Sequence, residues 1–200
     1  TANAISYGKD FIEDSLIILN GDIILDEDII QEIKDDYEKT KPDTLMVITE
    51  VEDPSAFGVV ELEGEKIVKI IEKPKPGETD SKLINTGIYI FNKDIFDKID
   101  KTEISPRGEY EITDVNREYL RRGELQVREM SRGFAWLDTG THDSLAEASI
   151  FVEVIEKRQG QKIACIEEIA YRNGWITREE LHRLAEPMRA NQYGQYLLKI

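Results

Sequence analysis

Leu19-Asn20-Gly21-Asp22 and Trp136-Leu137-Asp138-Thr139-Gly140-Thr141 each bring a carboxylate to the end of a short apolar run, just before a glycine-containing turn or a helix start. Ligands of open α/β sheets collect at such strand ends. A Trp beside an Asp at a strand end, as at Trp136 and Asp138, can offer a flat apolar wall together with a metal ligand. Taken singly, each has a plainer explanation. Asp22 is also an ordinary turn residue, and Asp138 or Thr141 could cap the helix that follows.

Other residue types fit a phosphate or a sugar. Glu72-Lys73-Pro74 ends a strand, where the ammonium could meet a phosphate as a point charge and the carboxylate could accept hydroxyls; alone, an exposed charged strand end explains it as well. Asn85-Thr86-Gly87 lies inside an apolar strand, and Gly58 sits in Phe57-Gly58-Val59-Val60-Glu61. A strand glycine marks either close approach of backbone to a ligand or a bulge. Glu109, in Arg107-Gly108-Glu109-Tyr110-Glu111, could bind a sugar or belong to the acidic start of a helix. Trp136 offers a flat apolar wall.

Periodicity gives the elements that must position these groups. Leu16-Ile17-Ile18-Leu19 reads as a buried parallel strand. Ile29, Ile30, Ile33 and Tyr37 form a helical stripe over 28–40, ending before Pro42. Strands are expected at 44–51, 57–62, 66–71, 85–91, 125–130 and 134–137, with a hairpin at Glu63-Gly64-Glu65 and a loop from Pro74 to Asp80. A helix is expected over 111–122, stopped by Gly123. Beyond residue 141 the pattern is helical, with an apolar stripe at Leu145, Ala148, Phe151, Val152 and Ile155 and a capping box at Thr177-Arg178-Glu179-Glu180. The expected fold is therefore α/β, with residues 1–140 as one domain and 141–200 as a helical tail packed on it.

The 200 residues carry a formal net charge of −15, which argues against a nucleic-acid backbone as partner. No apolar run approaches the ~20 residues of a membrane span. Cys165 is the single cysteine, so neither an internal disulfide nor a cysteine-built zinc site can form. A cytoplasmic protein is expected.

The ordered set of motifs resembles the sugar-1-phosphate nucleotidylyltransferase family. Arg107 to Asn116, Trp136 to Ser144, Glu156-Lys157-Arg158-Gln159-Gly160 and Asn191 to Leu197 are similar to its short-form glucose-1-phosphate thymidylyltransferases, whereas Phe57 to Glu61 and Ile84 to Tyr89 are closer to archaeal-type UDP- or dTDP-sugar pyrophosphorylases. The resemblance implies a Rossmann-like nucleotidyltransferase sheet and Mg²⁺-dependent transfer from dTTP (or UTP) to a sugar-1-phosphate, in a homo-oligomer. It implies Asp22 and Asp138 as metal ligands, with Asp22 also meeting the nucleotide, and Lys73 on the sugar phosphate. Gly58, Glu72, Asn85, Thr86, Gly87, Glu109 and Trp136 would contact the sugar, and Thr1 and Ala2 the nucleotide base.

One departure stands out. The family's Gly-rich triphosphate loop has no counterpart in these 200 residues, so the sheet is expected to be N-terminally incomplete. If each missing strand-and-helix piece has about 30 residues, two or three are absent. The readings implied are dTDP-glucose synthesis, UDP-sugar (glucose or N-acetylglucosamine) synthesis, or a non-catalytic segment that binds sugar phosphate.

Overall fold

A computed structural model describes residues 2–25, 27–105, 108–130 and 135–200. It divides into two compact units, residues 1–141 and 142–200.

The first unit is built on a six-stranded sheet in which Lys66–Glu72 (β5), Gly58–Glu63 (β4), Leu83–Asn92 (β6), Thr44–Glu50 (β3) and Leu125–Glu129 (β7) lie side by side in that order. Ser15–Leu19 (β1) also pairs with β6. A separate two-stranded ladder joins Ile23–Ile24 (β2) to Leu137–Asp138 (β8). Helices Ala2–Ser6 (α1), Glu27–Thr40 (α2), Ile95–Ile99 (α3) and Ile112–Arg122 (α4) complete the unit.

The expected parallel β1 is corrected. It runs antiparallel to β6, with Leu19 opposite Ile88, and its residues alternate between exposed and half-buried. The apolar run signals burial, but strand direction is decided by a partner some seventy residues away, which periodicity does not report. Most of the sheet is likewise antiparallel; among the described residues, β3 beside β7 is the parallel pair. The strand expected at 134–137 is the two-residue β8, and Phe134 lies outside the described residues.

β6 is the spine of the unit, with Ile84, Thr86, Ile88, Tyr89, Ile90 and Phe91 all buried. One face packs with Met46, Ile48, Val115 and Tyr119. The other packs with Ile29, Ile33, Leu45 and Val47. Buried on both faces, β6 and β3 read as near-continuous apolar runs. The β4–β5 hairpin turns at Gly64, whose φ of +64° suits glycine. Gly123 closes α4 in the left-handed conformation that commonly ends helices.

The second unit contains His142–Gln159 (α5), Ile166–Arg172 (α6), Arg178–Ala185 (α7) and Gln192–Leu197 (α8). Its buried cluster is Cys165, Leu181, Ala185 and Leu197. The Thr177 capping box is present: Thr177 Oγ1 accepts from Glu180 N–H at 3.2 Å, and Thr177 N–H donates to Glu180 Oε2 at 2.8 Å. Of the stripe expected along α5, only Ala148 is buried.

Candidate active site

The β2–β8 ladder places the two aspartates. Ile23 is opposite Asp138, and the Asp22 carbonyl accepts from both Thr139 N–H, at 2.9 Å, and Thr139 Oγ1, at 2.8 Å. The turns after β1 and β8 are thereby stapled together. Both carboxylates reach the space beside Gly140. A Cβ there would stand 3.2 Å from Asp138 Oδ1, 3.5 Å from Asp138 Oδ2 and 3.7 Å from Asp22 Oδ2. The two groups are no further apart than the sum of the outer two distances, and the missing side chain keeps the gap between them open.

Two carboxylates facing one gap are a donor set chemically suited to a hard divalent cation. No group of three or more His, Cys, Asp or Glu able to hold a metal occurs among the described residues. A two-carboxylate site is what Mg²⁺ uses when substrate phosphates and water complete its octahedron.

A second group of residues forms at Gly58. In the β4–β5 ladder Gly58 is opposite Glu72, and its absent Cβ leaves space faced by Glu72 Oε2 at 3.3 Å, Thr113 Oγ1 at 3.8 Å and Asn85 Cβ at 3.9 Å. Thr113, buried on α4, donates its hydroxyl to Glu72 Oε2 at 2.6 Å. Sequence reasoning passed over Thr113; its place one residue before Asp114 in an acidic helix start gave no sign that it reaches Glu72. Thr113→Val keeps the shape and removes the donor. It is expected to cost about 1.5–3 kcal/mol of folding stability, the range for one hydrogen bond to a charged group. Denaturant unfolding of the variant beside wild type checks this, and an unchanged midpoint would refute it.

Lys73 follows directly. Its N–H donates to the Phe57 carbonyl at 3.0 Å, and its φ of +46° lies in the left-handed region that lysine rarely adopts. Such strain persists where surrounding structure imposes it, and it clusters at functional sites. The side chain is exposed at the rim.

Asn85, Thr86 and Gly87 prove to be occupied largely by the protein. Asn85 Oδ1 accepts from Gly87 N–H at 3.0 Å, and its amide nitrogen donates to the Tyr89 hydroxyl. Thr86 Oγ1, buried, donates to the Val47 carbonyl at 2.8 Å. Trp136 Nε1 donates to the Thr86 carbonyl at 3.1 Å, and Phe57 meets the indole edge-on with ring centroids 5.5 Å apart. The wall expected of Trp136 is thus anchored at both its nitrogen and its ring.

Burial pushes the Tyr89 phenol up to about 12 from an ordinary 10, with the Asn85 hydrogen bond drawing it partly back. A folded-state value above the unfolded one means that the stability is fully present below pH 10 and is lost as the pH rises towards 12. Denaturant unfolding at pH 9 and pH 11 should show that loss, and Tyr89→Phe should lose less. An equal loss in both proteins would contradict the assignment.

Glu109 is exposed and its carbonyl accepts from Ser105 N–H at 2.8 Å; the atoms nearest the Gly58 space come from Glu72, Thr113 and Asn85 instead. Ala2 is buried, and its N–H donates to the Tyr110 carbonyl at 3.1 Å. Thr1 lies outside the described residues. A cavity of about 750 Å³ runs from Glu72 and Thr113 along α4 to residues 101–105. Its arginines are engaged locally, Arg117 with Asp114 and Arg122 with Glu118, and neither Asp22 nor Asp138 lines it.

The fold is a mixed α/β domain with a mostly antiparallel central sheet. The chain belongs to the nucleotidyl transferase family, whose model matches residues 1–154. It is 42% identical over 202 residues to a glucose-1-phosphate thymidylyltransferase of Neisseria meningitidis, covering 100% of this chain and 69% of that protein. A Xanthomonas campestris protein of the same name is 47% identical over 148 residues, covering 74% of this chain and 50% of its own. Proteins of that name are nucleotidyltransferases. Among solved structures, a Bacillus anthracis protein described as a glucose-1-phosphate thymidylyltransferase, in complex with a sucrose, is 38% identical with a TM-score of 0.67. It covers 76% of this chain and 60% of its own. A UDP-glucose pyrophosphorylase complexed with UDP-glucose shares the fold, with a TM-score of 0.68 at 24% identity, covering 78% of this chain and 62% of its own. The chain thus spans between half and about two-thirds of the length of these relatives.

Proposed function

We propose that this chain carries the metal and sugar-phosphate side of an enzyme that transfers a thymidylyl group from dTTP to glucose-1-phosphate, giving dTDP-glucose and pyrophosphate. The observation that carries the reading is the convergence of Asp22 and Asp138 on Gly140. Their turns connect through Asn20 and Trp136 to the segment of β6 that adjoins the Gly58–Glu72 space.

The reaction is an in-line displacement: a phosphate oxygen of the sugar-1-phosphate attacks the α-phosphorus of the nucleotide, and the bond to pyrophosphate breaks. No covalent intermediate on the protein is required. Positioning and neutralisation of charge do most of the work in such reactions. Lys73 offsets the charge of the sugar phosphate, which would otherwise repel the incoming triphosphate. Glu72, held by Thr113, accepts sugar hydroxyls. Gly58 and the backbone at 85–87 let the sugar ring approach, Trp136 walls it, and Glu109 is proposed as a further sugar contact. Asp22 and Asp138 would hold Mg²⁺, which supplies charge neutralisation between the nucleotide α-phosphate and the sugar phosphate when bound. Thr1 and Ala2 are proposed to border the nucleotide base, and a cytoplasmic homo-oligomer accords with this reading.

Magnesium-dependent pyrophosphate release tests the proposal, with glucose-1-phosphate and either dTTP or UTP. Faster release with dTTP supports it. Preference for UTP shifts the reading to UDP-sugar synthesis. Glucose-1-phosphate binding with no release from either nucleotide identifies a sugar-phosphate-binding segment without turnover.

A further inference from the structure

Gly87 explains more than approach to a ligand. Its φ is +79°, and a Cβ there would lie 2.3 Å from Asn20 Nδ2, 2.6 Å from Asn20 Cγ and 3.2 Å from Asn20 Cβ. The space that a side chain at 87 would fill is taken by the Asn20 amide. Asn20 N–H also donates to the Gly87 carbonyl at 3.1 Å. Asn20 is therefore fixed to β6 by its backbone and wedged there by its side chain. It sits two residues before Asp22.

The other aspartate is tied to the same place. Trp136, two residues before Asp138, donates its indole N–H to the Thr86 carbonyl. Thr86 is itself immobilised by its bond to Val47 in the core. Two adjacent peptide units of β6 thus hold both arms of the carboxylate pair, one through Asn20 and the other through Trp136. The Thr139–Asp22 bonds then close the frame.

From this we propose that Asn20 is a positioning residue: its amide, seated on Gly87, sets where Asp22 stands relative to Asp138. The consequence for metal binding rests on the function proposed above, whereas the mechanical part does not. Glutamine is a poor replacement, since its extra methylene has no space over Gly87. Alanine leaves the seat empty and lets the Asp22 turn shift.

Hydrogen exchange and Mn²⁺ titration on wild type, Asn20→Ala, Gly87→Ala and the double variant test the two parts. Asn20→Ala should speed exchange of the Thr139 amide by about tenfold or more, while amides of β3 and β6 around Ile48 and Ile88 keep their protection. Mn²⁺ affinity should fall by a similar factor. Gly87→Ala should do worse than Asn20→Ala. The double variant should be no worse than Gly87→Ala alone, because the added Cβ then occupies the space that the amide left. Unchanged Thr139 exchange in Asn20→Ala, or strictly additive losses in the double variant, would overturn the proposal. If exchange responds as described and the wild-type protein binds no Mn²⁺, the interlock stands and the metal assignment falls.

Discussion

Asp138→Asn is expected to lower pyrophosphate release from dTTP and glucose-1-phosphate by roughly 10³-fold, with the melting temperature almost unchanged. The substitution keeps the size of the side chain and removes one of two negative charges beside Gly140. A metal placed between phosphates supplies several kcal/mol of charge stabilisation, and losing about 4 kcal/mol of it corresponds to that factor. The fold should tolerate the change because asparagine matches aspartate in size and the Asp22 carbonyl still accepts from Thr139 N–H and Oγ1 across the two turns. Steady-state release at saturating Mg²⁺, alongside a thermal melt, checks both halves. A rate within a few-fold of wild type would remove Asp138 from the chemistry.

The largest stability effect should come from the second unit. Gly194→Ala would place a Cβ 2.1 Å from the Met188 carbonyl oxygen and 2.3 Å from its carbon. These are backbone atoms of the turn at Glu186–Met188, so no rotamer change relieves the clash. Gly194 N–H also donates to Asn191 Oδ1 at 2.8 Å, the cap that starts α8. Pushing α8 away would uncover Leu197 and open the cluster with Leu181, Ala185 and Cys165. Overpacking together with lost burial of a leucine gives an expected cost of about 3–5 kcal/mol. Amides of α7 and α8 should lose exchange protection while those of β3 and β6 keep theirs. Wild-type protection at Leu197 would contradict this.

These two sites differ in how far they could be read from the chain alone. Asp22 and Asp138 are visible because each ends an apolar run at a turn, a local signature. Their convergence is not local: it depends on the β2–β8 ladder, two residues long on each side, too short to leave a periodic trace. The 57–62 and 66–71 strands were legible because alternation and the Glu63-Gly64-Glu65 turn agree. The direction of β1 was not, since Leu16–Leu19 would look the same in either orientation. Gly87 was legible as a special position, but a ligand and the Asn20 amide are equivalent explanations until the partner is seen. Gly194 was passed over because its constraint comes from Met188, six residues earlier and in a different element.

The central claim is that Asp22 and Asp138 together hold one divalent cation facing a sugar phosphate. Anomalous diffraction from crystals soaked in Mn²⁺ and glucose-1-phosphate tests it most directly. The account predicts one peak in contact with carboxylate oxygens of both residues beside Gly140, with the sugar phosphate reaching towards it and Lys73. A Mn²⁺ peak elsewhere, with those two carboxylates uncoordinated, would contradict it.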